Sequence, residues 1–201
     1  MKFNFKTLFL AAAAAFVLTG CDEDTELPIY RNPIVYQTFE SGEDNETLST
    51  VNTPGWTTFL QAGTKQWTIQ RYSDNGYAEF NPYQSGNASN IGWLISPAIA
   101  LTENNDKTLT FESSQAYTTS ADNKLEVFIS TDFDGTNVTA ATWTPVTFTA
   151  PEIAGVNFDF VPSGKISLSA YSGNVYVGFK VTGGTASAVD GSYQIDNVVV
   201  Y

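Results

Sequence analysis

The sequence predicts an all-β domain, a sandwich or barrel of antiparallel strands. Three observations carry that reading. The 201 residues include 14 Phe, 10 Tyr and 4 Trp, with Thr and Val also frequent, and these residue types suit a pleated, half-buried surface. Apolar residues alternate over short runs, and turn-forming residues interrupt those runs often. Beyond the first 20 residues no stretch has the composition or period of a helix. No internal repeat is visible, so a propeller or solenoid is not expected. Nothing divides residues 33–201 into two domains.

Taken in order, residues 1–20 have the layout of a secretory signal. Lys2 and Lys6 give it a positive start and Leu8 to Leu18 an apolar centre. That run is short for a bilayer span, and no later run is long and apolar enough to replace it. It ends at Leu18-Thr19-Gly20-Cys21, which contains the only cysteine, with Asp22-Glu23-Asp24 directly behind. Residues 21–32 read as a polar tether carrying Pro28, and Pro33 marks entry to the folded domain.

Val35 to Phe39 is the first strand candidate, and the acidic loop Glu40 to Glu46 follows it. Thr53-Pro54-Gly55-Trp56 is a turn with an aromatic behind it. Trp67 to Tyr72 alternates as a strand does. Ser73 to Gly76 turns the chain into a short strand at Tyr77 to Phe80. Asn81 to Asn90 is a polar loop. The apolar run Trp93 to Ile99 is broken by Pro97, which suits an edge or a strand entering a turn. Asn104-Asn105-Asp106 is a turn before a strand at Thr108 to Ser113, and Leu125 to Ser130 is the clearest central strand. Further extended pieces lie at Trp143 to Phe148, around Phe158 and Phe160, and at Gly164 to Ser169. Val175 to Val181 is a strong strand, and Tyr193 to Tyr201 closes the chain after a Gly- and Ser-rich loop.

Composition excludes several functions. The formal charge is −12, from 9 basic and 21 acidic residues. Lys2 and Lys6 belong to the leader, so seven basic residues face 21 acidic ones after it, a charge near −14. Such a chain repels nucleic acid, whose phosphates need clustered Lys or Arg. It suits solubility and divalent cations. Histidine is absent. That removes a Ser-His-Asp arrangement, histidine general-base chemistry and His-containing zinc sites. One cysteine allows no disulfide framework. There is no nucleophile elbow, phosphate loop or metalloprotease motif. Paired carboxylates are the one catalytic device left, for glycoside hydrolysis. Acids are so abundant that some pair falls at a suitable distance by chance, and no enzymatic activity is expected.

Three resemblances narrow the expectation. Leu18-Thr19-Gly20-Cys21 resembles the bacterial lipobox, which implies that Cys21 becomes the acylated first residue of a lipoprotein. The acidic run behind it resembles the surface-export signal of Bacteroidetes lipoproteins, which implies an outer-membrane anchor with the domain facing outward. Further on comes an ordered series. It runs from Phe39-Glu40 through Pro54-Gly55-Trp56, Trp93 to Ile99, Leu109-Thr110-Phe111, Leu125 to Thr131, Trp143 to Val146, Ile166 to Gly173 and Val175 to Phe179, and ends at Ile195-Asp196-Asn197-Val198. This series resembles the choice-of-anchor J domain, related to the MAM-like and cleaved-adhesin jelly rolls of Bacteroidetes surface proteins. The resemblance covers most of residues 33–201. It implies a galactose-binding-like jelly roll, commonly with a structural calcium and a glycan- or protein-binding surface.

In related jelly rolls one calcium ligand follows the first strand and another lies on the last, and the matching positions are Glu40 and Asp196. Without a metal, Glu40 is a loop acid and Asp196 a surface acid on a strand. Glu43, Asp44 and Glu46 lie close to Glu40, as ligands or as a solvated loop. Asp132-Phe133-Asp134-Gly135 resembles the start of a calcium loop, but the later bidentate Glu and the flanking helices are missing, and a plain polar turn is the simpler reading.

Flat aromatic rings pack against the apolar faces of sugars. Trp56, Trp67, Tyr72, Tyr77 and Tyr83 cluster in the loop-rich first half, while Trp93, Phe111, Phe128 and Phe179 are expected in the core. Asn81, Gln84, Asn87 and Asn90 place amide groups beside Tyr83. The expected contact surface is therefore Tyr77, Asn81, Tyr83, Gln84, Asn87 and Asn90. The expected function is a non-enzymatic surface lipoprotein whose domain binds a glycan or a partner protein, with a purely structural or adhesive module as the alternative.

Overall fold

The computed structural model describes residues 32–40, 51, 53–103 and 106–201. The expected leader, the acylation site Cys21 and nearly all of the tether lie outside the described residues. So do Glu43, Asp44, Glu46, Asn104 and Asn105.

Thirteen strands, and no helix, occupy the described residues. They are β1 (Val35–Gln37), β2 (Thr57–Ala62), β3 (Thr68–Tyr72), β4 (Asn75–Phe80), β5 (Asn90–Ile95), β6 (Ile99–Leu101), β7 (Thr108–Ala116), β8 (Lys124–Ser130), β9 (Thr144–Val146), β10 (Val161–Pro162), β11 (Ile166–Ser167), β12 (Gly173–Gly183) and β13 (Ser192–Val200). A seven-stranded sheet runs β10-β7-β13-β4-β3, with β1 beside β13 and β11 beside β7. A six-stranded sheet runs β2-β5-β12-β8-β9, with β6 beside β12. Each pairing is antiparallel. The two sheets face one another as a jelly-roll sandwich, the all-β class that the sequence predicts.

Alternation decides which side chains fill the sandwich. Leu125, Val127 and Ile129 of β8 are buried, as are Val175, Val177, Phe179 and Val181 of β12, so each strand sends its odd-numbered residues inward. From the other sheet come Ile69, Ala78, Phe80, Leu109, Phe111, Tyr193 and Ile195. Phe179 sits between Trp56, stacked at 6.4 Å, and Phe111, edge-on at 5.1 Å. Such aromatic contacts add roughly 0.5–1.5 kcal/mol each beyond area burial.

Trp56 and Trp67 correct the sequence reading. They are 8% and 1% exposed and belong to the core, not to a sugar-binding loop. Turn residues precede Trp56, but its ring folds back between the sheets against Phe39 and Phe179. Trp93 is buried as expected but in a second cluster with Ile95, Phe133 and Val138, against which Phe59, half-buried Phe128 and Trp143 pack. Phe128 thus lies outside the main core. It is an even-numbered residue of β8, so it faces outward, where the loop of residues 131–143 covers it. Lys180 lies over the rings of both Trp93 and Phe128.

The acids of that loop are engaged by the loop itself. Asp134 accepts from the backbone N–H of Thr136 and Asn137 at 2.8 and 2.7 Å, and Asp132 accepts from that of Thr142 at 2.8 Å. These backbone donors lower both carboxyl pKa values below the usual range. The loop is a self-capped turn.

Gly92 on β5 marks the tightest fit between the sheets, since a Cβ there would lie 2.1 Å from the Phe80 ring. Gly92→Ala is therefore expected to overpack the core and lower unfolding free energy by about 1–3 kcal/mol. Adding Phe80→Leu should return part of the loss. Urea unfolding of the two single variants and the double variant measures this coupling, and strict additivity would contradict the assigned contact.

Candidate functional site

The outward face of the seven-stranded sheet is unusual in being both polar and buried. Strand register sets its residues in rows. Thr68, Glu79, Gln194 and Ser114 form one row across β3, β4, β13 and β7. Next to it, Gln70 pairs with Tyr77 and Asp196 with Glu112. Alternation sends these side chains away from the core, yet Glu79, Gln194, Ser114 and Asp196 are at most 9% exposed. Residues 152–160 cover part of the face.

That covering segment is fastened along the end of β7. The backbone N–H of Ala154 donates to Thr118 O at 3.0 Å, and that of Phe158 to Gln115 O at 2.8 Å. The Asn157 side chain accepts from the Tyr117 N–H at 3.0 Å. Ala154 and Phe158 hold φ of 59° and 68°, a left-handed conformation that costs a non-glycine residue free energy. The segment leaves Phe158 about half exposed beside the exposed Tyr117, their rings 6.0 Å apart and edge-on.

Between this segment and the β3–β4 side lies a groove of three adjoining lobes. The middle lobe, about 720 Å³, is walled by Tyr83, Tyr117 and Phe158 and floored by Glu79 and Ser192. The second, about 700 Å³, shares Phe158 and is walled by Tyr72, Tyr77 and Phe160, with Glu112, Gln194 and Asp196 beneath. The third, about 670 Å³, shares Glu79, Asn81 and Tyr83 with the middle lobe and reaches Lys65, Thr68 and Gln70.

The floor is a connected hydrogen-bond network. Ser114 donates to the Gln194 carbonyl oxygen. Gln194 Nε2 donates to one oxygen of Glu79 at 2.8 Å, and Asn81 Nδ2 donates to the other at 3.4 Å. Burial pushes the Glu79 pKa up, while the Gln194 and Asn81 bonds oppose the shift. Tyr77 is pushed up to about 12, by burial and then by the charges of Glu79 and Tyr72.

Asp196 is the most perturbed acid described. Its pKa is pushed up to about 7, first by burial and further by Glu40 and Glu112, while hydrogen bonds from Asn197 and Asn75 pull it down. The backbone explains the crowding. The register of β13 against β7 shifts between Asp196 and Val199, and Asn197 adopts a φ of 49°. This bulge re-aims Asn197, whose Nδ2 donates to Glu112 at 2.8 Å and to Asp196 at 3.2 Å. Gly76 brings Glu40 close. A Cβ at Gly76 would lie 2.6 Å from Phe39 O and 2.8 Å from Glu40 Cα, so the end of the first strand's loop rests directly on β4. The Glu40 carboxylate is ion-paired with Arg71 at 2.6 Å.

The structure thus places Glu40 and Asp196 in one neighbourhood, within electrostatic reach. Calcium takes about six to eight oxygen ligands. Asp196, Glu112, Glu40 and the Asn75 side chain supply oxygen donors, and the mutual repulsion at Asp196 is what a divalent cation relieves, so the residues fit a hard cation in chemistry. In the present arrangement Arg71 takes Glu40, and the Asn197 amide takes Glu112 and Asp196. Among the described residues no three carboxylates are arranged to hold a metal ion.

Of the expected contact residues, Tyr77, Asn81, Tyr83 and Gln84 line the groove. Asn90 does not. It is fully buried, accepting from the Thr64 and Lys65 N–H groups at 3.0 and 3.2 Å and donating to Ser85 Oγ at 2.7 Å. It ties two loops together and presents nothing to a ligand. The Asn87 backbone N–H donates to Ser85 Oγ within its own loop, and its carbonyl accepts from the Thr185 N–H of the loop between β12 and β13. Sequence reading missed Glu79, Glu112, Ser114, Tyr117, Phe158, Phe160 and Gln194. The available signal was the run of polar side chains at alternate positions of β4 and β13, but what unites them is pairing between strands remote in sequence.

In fold the chain is a cleaved-adhesin-like β-sandwich. The chain resembles the K1 cleaved adhesin domain of Lys-gingipain from Porphyromonas gingivalis W83 with a TM-score of 0.54, at 18% identity over 83% of this chain and 96% of that one. For the K3 domain of the same protein the values are 0.55, 19%, 85% and 99%. The CBM22-2 xylan-binding domain of Paenibacillus barcinonensis Xyn10C overlaps less closely, at 0.47 and 10% identity over 83% of this chain and 98% of that one, a likeness too slight to carry an argument. The chain belongs to the DUF5017 family, a domain of unknown function, which matches residues 99–200. No curated protein matches the sequence.

Burial of Asp196 makes stability pH-dependent. In the unfolded chain its pKa is near 3.8, against about 7 in the fold. Between those values the folded state holds a proton that the unfolded state has lost, so stability falls as pH rises. Glu79, also raised, acts in the same direction. Unfolding free energy in chelator is expected to drop between roughly pH 4 and pH 7, and Asp196→Asn should flatten much of that slope. Denaturant titrations at stepped pH provide the measurement. An unchanged slope in the variant would remove Asp196 as its source.

Proposed function

We propose that this protein is a non-catalytic surface lipoprotein that binds a glycan in the groove of the seven-stranded sheet. The observation that carries the reading is the combination, in one open groove, of aromatic walls with a fixed, hydrogen-bonded polar floor. A sugar ring offers an apolar face to an aromatic and hydroxyls to amides and carboxylates. Tyr72, Tyr83, Tyr117 and Phe158 are about half exposed or more, while Glu79 and Gln194 are already oriented by their neighbours. A prearranged site loses little ordering entropy on binding. The ordered segments from Phe39 to Val198 support the narrower choice-of-anchor J relationship.

The groove supports binding better than hydrolysis. Both oxygens of Glu79 accept amide donors, and Asp196 is only 2% exposed, so neither carboxyl is presented to a glycosidic oxygen as a general acid must be. The lipobox-like Leu18-Thr19-Gly20-Cys21, with the acidic residues behind it, supports acylation at Cys21 and an outer-membrane anchor facing the exterior. Calcium among Glu40, Glu112 and Asp196 is part of the proposal, as a structural ion once Arg71 releases Glu40.

Adhesion to a surface protein is the second reading. The likeness to the gingipain adhesin domains supports it, as do the exposed apolar side chains of Val156 and Ile153, 73% and 39% exposed, on the covering segment.

Affinity electrophoresis against a polysaccharide panel tests the glycan reading. Retardation by at least one polysaccharide is expected, without release of reducing ends. Tyr83→Ala and Phe158→Ala should each weaken binding roughly tenfold, about 1.4 kcal/mol. Pull-down of a stable protein partner with no glycan bound would favour adhesion. Thermal melts with calcium and with chelator test the ion. Calcium should raise the midpoint of the parent chain but not of Asp196→Asn, and identical parent midpoints would eliminate it.

A further inference from the structure

The ligand class can be narrowed by charge and by length, on the glycan-binding reading given above. Glu79, Glu112, Asp190 and Asp196 border the three lobes, and Lys65, at the far end, is the one basic residue among the described residues that line them. Arg71 lines none of the lobes and is held by Glu40 and Asp74, at 2.6 and 3.7 Å. Carboxylates in a groove with low-dielectric aromatic walls project a focused negative field. A uronate or sulfate brought onto Glu79, away from the proposed calcium position, would lose its water with no cation to replace it.

A simple cation is not rewarded equally along the floor. Glu79 already has its oxygens filled by the Gln194 and Asn81 amides, and Glu112 and Asp196 share the Asn197 amide. Of these, Glu79 lies outside the proposed calcium set and is arranged for neutral donors. Hydroxyls can join such a network as further neutral partners.

Length follows from the strand geometry. The lobes share side chains, Phe158 at one junction and Glu79, Asn81 and Tyr83 at the other, so they form a continuous track. It follows β4 from Asn75 past Tyr77 and Glu79 to Asn81, with Asp196, Gln194 and Ser192 of antiparallel β13 alongside. Six residue steps at about 3.3 Å give roughly 20 Å, longer than any single sugar. Aromatic walls stand along the whole track, from Tyr72 at one end to Tyr83 at the other, which suits a chain contacted at repeated intervals.

We infer that the groove takes an internal stretch of an uncharged polysaccharide, several sugar units long, lying along β4 and β13, and discriminates against anionic glycans. The test uses the purified full chain in chelator, so that no calcium ion offsets Glu112 and Asp196, with three kinds of probe at low and moderate salt. Neutral probes are mannan, xylan and β-glucan, with graded oligosaccharides of whichever binds. Polygalacturonate and chondroitin sulfate are the anionic probes, and chitosan the cationic one. A neutral polymer is expected to bind at least tenfold more tightly than either anionic polymer, with the gap widest at low salt. Affinity should climb from disaccharide to longer oligomers and then level off. Glu112→Gln, a conservative change at a partly exposed site, should raise the ratio of anionic to neutral binding. Equal or tighter binding of polygalacturonate or chondroitin sulfate, preference for chitosan, or full affinity for a disaccharide would overturn this inference and leave the glycan-binding reading standing. Failure of every probe to bind would remove both.

Discussion

The buried amide of Gln194 is the constraint on which the outer face of the seven-stranded sheet depends. It lies 1% exposed between Ser114 and Glu79, on strands that flank its own. A buried amide without partners costs more than its hydrogen bonds return, so these neighbours must hold their positions. Their positions fix the floor of the groove. Glu79 would be poorly tolerated at this depth without the Gln194 and Asn81 donors, and its raised pKa shows that the donors offset only part of the cost of burial. Stability of the scaffold and readiness of the groove therefore rest on the same few bonds.

The two outer faces of the sandwich solve one problem differently. On the six-stranded sheet the loop of residues 131–143 closes over Trp93 and Phe128 with Phe133, Val138 and Trp143, leaving a small satellite core. On the seven-stranded sheet the covering segment closes over polar residues and leaves aromatic side chains standing at its margin. The first arrangement adds apolar burial to the fold. The second leaves desolvated polar groups beside open space, where a ligand can meet them.

Much of the architecture is legible in the sequence because it is written in local alternation. Leu125, Val127 and Ile129, or Val175, Val177, Phe179 and Val181, declare both the strand and its inward face. Pro97 separates β5 from β6 as its missing N–H requires. The failures are equally physical. β2, with the weakly alternating Thr57 to Ala62, is marked by its pairing with β5 and not by its own pattern. Trp56 and Trp67 follow turn residues yet turn inward, since ring burial outweighs the loop character of their neighbours. Phe158 and Phe160 read as a strand, but left-handed φ angles at Ala154 and Phe158 make their segment a cover. Of the candidate site, Tyr77, Asn81, Tyr83 and Gln84 share a polar, turn-rich stretch that a reader can single out. Gln194, Ser114 and Glu112 come from distant strands, and only sheet register unites them. Asn90 misleads because a buried asparagine that ties loops has the same letter as an exposed one that greets a ligand.

The covering segment is held to β7 chiefly through main-chain atoms: Ala154 N to Thr118 O, and Phe158 N to Gln115 O. Its outward side chains, Ile153, Val156 and Phe158, take no part in those two bonds. Their replacement therefore leaves those two main-chain bonds in place. Substitution in this short strip can thus change what the groove presents to a ligand without loosening the strands beneath it.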